Sequence, residues 1–181
     1  MACNKTVLFN QIKAVASKVL TTDFILSTKT MKGNTQVSER GVITKIKEVL
    51  DGMGLSYTEA GSQQSKDFRN IWGIGLNIEI KKTDNDTIYF NDTCPSNDIY
   101  YIIIYTGKEY KRNVENNVKP QICYVNGADF LKDSQWIADY IAEITALKDK
   151  YARGENKKQL TGIMSVYPRP TFKASIASFL I

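Results

Sequence analysis

Apolar positions in residues 6–20 recur at helical spacing. Leu8, Ile12, Val15 and Val19 form one stripe, with Ala16 and Leu20 beside it, so the spacing predicts a first helix. A polar stretch over residues 27–36 follows, with Lys29, Lys32 and no acidic residue. Ser38 is placed to cap a second helix, whose stripe is Val42, Ile43, Ile46, Val49, Leu50 and Met53, and Gly54 suits the left-handed position past its end. The pattern then changes to short apolar or alternating runs. These predict strands at residues 55–59, 67–72, 76–82, 87–90, 99–105 and 121–125, with Gly73 and Gly75 turning the second into the third. The run over 99–105 is apolar throughout, as in a central strand covered on both faces. Ser134 opens a long helix in which Ile137, Tyr140, Ile141, Ile144, Leu147 and Tyr151 share a face and which Gly154 ends. Lys157 and Lys158 then lead to a tail with Pro168-Arg169-Pro170. Helices, then strands, then a helix predict one α/β domain over residues 1–181, built on a mixed sheet flanked by helices. Residues 1–54 form its helical part, 55–126 its sheet, and 127–181 a helix and tail.

The size agrees: 181 residues, 43% hydrophobic and 24% charged, suit one globular domain of the usual ~100–200 residues. The chain has no histidine, which excludes Ser-His-Asp and Cys-His nucleophile systems, His-ligated zinc and nucleases with a His base. Hydrolysis here has to use carboxylates, Lys, Tyr or a bound metal. The net charge is +5, and its whole excess lies in residues 1–82, which hold 12 basic and 7 acidic side chains; residues 83–181 hold 12 of each. That distribution favours an anionic partner on the first half. Cys3, Cys94 and Cys123 are too few and too scattered for a disulfide framework or a four-thiolate zinc site. The absence of an 18-residue apolar run and of a signal-type N-terminus predicts a reduced, cytoplasmic location.

The chemistry concentrates in residues 66–82. On an extended strand Ile78 and Ile80 face the core, while Glu79 and Lys81 face the other way together. Asp67, across the glycine turn, can meet them. Two carboxylates and an ammonium at one spot suit Mg²⁺-assisted phosphodiester hydrolysis: the oxygens match a hard cation, and the Lys orients the attacking water. The plainer reading of such a strand is a solvated face with an ion pair.

Asp67, eleven residues, then Glu79-Ile80-Lys81 resembles the PD-(D/E)XK nuclease motif in its type II restriction endonuclease form. The resemblance implies a restriction-endonuclease-like mixed sheet flanked by helices. It implies Asp67 and Glu79 as metal ligands with the Ile80 carbonyl as a third, and Lys81 as the residue that activates water. Mn²⁺ would substitute for Mg²⁺. An acidic residue on the preceding helix often joins such sites, and Glu39 or Glu48 is placed for it, Glu39 being the accessory acid favoured here. One departure is Lys66, where the family motif has Pro. The implied activity is sequence-specific cleavage of double-stranded DNA by a homodimer, with a DNA methyltransferase as functional partner. The rivals are a structure-specific repair or recombination nuclease of the same fold and a non-catalytic DNA-binding module. By the same similarity, the segment after the motif reads bases through Asn91, Asp92 and Thr93, with Ser96 and Asn97 behind them. Its composition is equally that of a turn. Lys29, Lys32, Arg40, Lys82 and Arg169 are the expected phosphate contacts.

Overall fold

In the computed structural model, which describes residues 4–27, 35–59, 66–83, 85–91, 95–107, 119–131, 135–148, 150 and 171–180, three helices precede the sheet. Helix α1 (Lys5–Val19) starts where the Asn4 side chain accepts the Thr6 N–H at 2.9 Å. It buries Leu8, Phe9, Ile12 and Ala16. The covered stripe is therefore rotated from the expected one, and Val15 and Val19 lie outside. A short α2 (Thr22–Ser27) follows, between the first predicted helix and the expected polar stretch, which it meets only at Ser27; at under two turns it is too short to show a stripe. Helix α3 (Thr35–Gly52) begins three residues before Ser38, which is thus inside the helix rather than its cap. Its far end closes as expected on Gly54 at φ +67°, with Gly54 N–H donating to Asp51 O and Leu55 N–H to Leu50 O. That pair of bonds is the Schellman arrangement.

Five strands form a mixed sheet in the order β1 (Thr58–Glu59), β2 (Phe68–Ile71), β3 (Leu76–Thr83), β5 (Ile99–Tyr105), β6 (Gln121–Asn126). β3 and β5 run parallel and the other neighbours antiparallel. The protein is thus a mixed α/β domain with a five-stranded mixed sheet flanked by helices. The expected strand at 55–59 shrinks to Thr58–Glu59, because Leu55 is buried under the end of α3. β5 is internal, as its apolar run requires, and all its residues but Tyr105 are buried. The connection between β3 and β5 contains β4 (Thr87–Asn91). β4 leaves the main sheet to pair with β7 (Thr171–Ser175), a strand within the expected tail.

Alternation splits the apolar residues into two cores. Leu76, Ile78, Ile80, Tyr100, Ile102 and Ile104 pack with α1 and α3. Ile99, Tyr101 and Ile103 pack with Ile88 and Phe90 of β4 and with Ile176 on the other side. Helix α4 (Gln135–Lys148) buries Ile137 but leaves Trp136, Tyr140 and Leu147 exposed, so its apolar face is covered only in part. Tyr151, Gly154, Lys157, Lys158 and Pro168 to Pro170 lie outside the described residues. Among the described residues no helix is long and apolar enough to cross a membrane.

Candidate active site

The site lies where β2 and β3 part. Their ladder runs from Ile71↔Leu76 to Phe68↔Ile78, with a register shift between. The turn joining them needs left-handed backbone at Gly73 (φ +67°) and Gly75 (φ +72°), and Trp72 between β2 and Gly73 also takes φ +56°. Beyond Ile78 the two strands diverge, and carboxylates take the backbone bonds the ladder no longer makes. Asp67 Oδ2 accepts the Ile80 N–H at 2.7 Å. In the opposite direction Glu79 Oε2 accepts the N–H of Lys66. The side chains of Glu79 and Lys81 are half-buried and share a face of β3, with Lys81 Nζ 2.6 Å from Glu79 Oε1. Ile78 and Ile80 are buried on the opposite face.

Glu39, near the start of α3, belongs to the same group. Burial raises its pKa most; the Lys81 charge lowers it, Glu79 raises it and Lys82 lowers it. Asp67 is pushed up to about 6, first by burial and then by the Glu79 charge. The Ile80 N–H pulls it down, Glu39 pushes it up, and Lys81 pulls it down. Three carboxylates and two ammonium groups therefore act on one another at this point. Glu48 does not join them. Nine residues beyond Glu39 is two and a half turns, which puts it on the opposite face of the helix, where it pairs with Lys45 at 2.6 Å.

The residues expected to contact DNA are placed unevenly. Arg40 is exposed on α3 beside Glu39, and Lys82 is half-buried beside Lys81. Ser96 donates its hydroxyl proton to Asp98, and Asn97 is exposed. Asn91 ends β4, with its side chain outside the described set. Lys29, Lys32, Asp92, Thr93 and Arg169 also lie outside the described residues. Sequence reasoning missed two members of the site's surroundings. Lys66 contributes its N–H to Glu79 and its Nζ, at 3.1 Å, to Asp98. The only sequence signal was that Lys66 stands beside Asp67 where the resembling motif has Pro.

An all-oxygen donor set of Asp67, Glu79 and the Ile80 carbonyl has the hardness that Mg²⁺ prefers. Burial raises the Asp67 pKa, and the cost of ionising it there is one that a bound cation would offset. Among the described residues, no group of three His, Cys, Asp or Glu side chains is placed to hold a metal ion. A set of two carboxylates and a carbonyl does not require a third. No protein-family model, curated protein or solved structure matches the chain significantly.

Proposed function

We propose that this protein is a Mg²⁺-dependent endonuclease of restriction-endonuclease-like fold that hydrolyses phosphodiester bonds of double-stranded DNA at a specific sequence. One observation carries the reading: Asp67, Glu79 and Lys81 meet at the divergence of two strands, with Glu39 on α3 close enough to feel their charges. A purely structural ion pair would need Glu79 and Lys81 alone. It leaves unexplained why two further carboxylates are desolvated against them, an arrangement that costs stability and is typical of functional sites.

In this reading Asp67, Glu79 and the Ile80 carbonyl would hold the cation. Bound there, Mg²⁺ would neutralise charge on the phosphoryl oxygens and acidify water. Lys81 Nζ, anchored on Glu79 Oε1, offers its other protons to orient the attacking water. Glu39 stands by to accept a proton, which its raised pKa favours. No imidazole is needed. The site specificity, the homodimer and the pairing with a methyltransferase follow from the resemblance of the motif to type II restriction endonucleases. A homodimer would match its two-fold symmetry to that of a palindromic site. The testing experiment is incubation of plasmid DNA with Mg²⁺ or Mn²⁺ and the purified protein. Discrete fragments from the wild type and none from Asp67→Ala, Glu79→Ala or Lys81→Ala are expected; full cleavage by all three variants would refute the reading.

A further inference from the structure

We propose that Lys66 is the positioning residue of this site, tying the Glu79 carboxylate to the chain segment 95–98 so that duplex DNA seated on that segment aligns Glu79. The inference rests on the nuclease reading and adds to it a link between DNA contact and catalysis.

Lys66 sits at φ +79°, a backbone conformation unusual for a residue with a side chain. That conformation turns its N–H onto Glu79 Oε2. Proline could do neither, since its ring fixes φ near −65° and it has no N–H. The departure from the resembling motif is thus functional in form: it adds a donor to the carboxylate. The Lys66 side chain reaches the other way, its Nζ 3.1 Å from Asp98 Oδ2. Asp98, though partly exposed, has further partners. Its Oδ1 accepts from Ser96 Oγ, and its carbonyl accepts from Asn77 Nδ2 at 3.4 Å. Asn77 lies two residues before Glu79 on the same face of β3. Ser96 is in turn pressed against Gly127, where a Cβ would come within 1.9 Å of the Ser96 carbonyl oxygen. The segment is therefore braced by Gly127 on one side, and Lys66 leads from its other side to Glu79. Nothing in the local fold requires one residue to hold both; β3 and β5 already pair through seven consecutive positions, Asn77↔Ile99 to Thr83↔Tyr105.

The test separates the ammonium from the amide. Lys66→Gly keeps the N–H and accepts positive φ but removes the charge, Asp98→Asn removes the partner charge, and Lys66→Arg retains it. Lys66→Gly and Asp98→Asn are each expected to lower kcat for duplex cleavage roughly tenfold, with KM nearly unchanged, in the range of mutations that alter coupling. The double variant should be no worse than either single one, because both break one link. Lys66→Arg should restore most of the rate. Lys66→Pro should lose about a hundredfold or more, as a misplacement near 1 Å does. Independently of cleavage, Asp98→Asn should shift the Lys66 amide proton in nuclear magnetic resonance spectra of the protein alone. A rise in KM with kcat unchanged would make Lys66 a phosphate contact and overturn the proposal. So would an unmoved Lys66 amide in Asp98→Asn. If the wild type cuts no DNA the nuclease reading fails, and the amide shift still decides whether the link exists.

Discussion

Replacing Asp67 by Asn should make the protein more stable at neutral pH and inactive. The Asp67 carboxyl is raised from its ordinary 3.8 to about 6, chiefly by burial and by the Glu79 charge. A raised acid pKa means that the folded state binds the proton more tightly than the unfolded chain. Stability from this group is then complete below about pH 4 and is lost as pH rises through 6. The full loss at pH 7.5 is ~3 kcal/mol at 1.36 kcal/mol for each pH unit. Asn is isosteric with the protonated carboxyl, carries no charge and offers Oδ1 to the Ile80 N–H as that neutral acid does. The net expectation is a gain of ~3 kcal/mol at pH 7.5, or about 6–12 °C in Tm for a domain of this size. Thermal and urea unfolding of both proteins in metal-free buffer, from pH 4 to pH 8, measures it. The gain should shrink to nothing near pH 4. A variant less stable than the wild type at pH 7.5, or a difference independent of pH, would show that Asp67 is a structural acceptor and refute the reasoning.

Lys81→Met should lower the single-turnover cleavage rate at least ~100-fold, as removal of a charge-stabilising donor does, with an unchanged far-ultraviolet circular dichroism spectrum. Glu39→Gln removes a negative charge that raises the Asp67 pKa. The acid limb of its pH–rate profile should therefore move to lower pH, and its maximal rate should fall roughly tenfold or more if Glu39 handles a proton. Gly127→Ala sets a methyl group 1.9 Å from the Ser96 carbonyl oxygen. Backbone must then shift, so urea unfolding should show a loss of ~1–3 kcal/mol, typical of overpacking.

The central elements were legible because one physical rule governed each of them. The 99–105 run is apolar at every position since β5 is covered on both faces, and 76–83 alternates since β3 has a core face and a site face. The same alternation placed Glu79 with Lys81 and brought Asp67 to them. Elements governed by distant packing were not legible. β7 depends on Thr171–Ser175 finding β4 some eighty residues earlier in the chain, and five residues with Pro170 before them read as tail. The start of α3 was misplaced at Ser38 because an ordinary capping residue also occurs inside helices. Glu39 was already favoured over Glu48, but what separates the two is the phase of the helix relative to the sheet, which periodicity within α3 does not set. The role of Lys66 was invisible for a related reason: a positive φ at a non-glycine residue is imposed by its surroundings.

The most direct measurement is to digest genomic DNA with the purified protein, in Mg²⁺ and in chelator, and to sequence the fragment ends. The expected result is cleavage in Mg²⁺ alone, one short recurring sequence at every end, and no product from Glu79→Gln. Intact DNA under Mg²⁺ and Mn²⁺, or equal cutting by Glu79→Gln, would contradict the assignment of Asp67, Glu79 and Lys81 as a nuclease site.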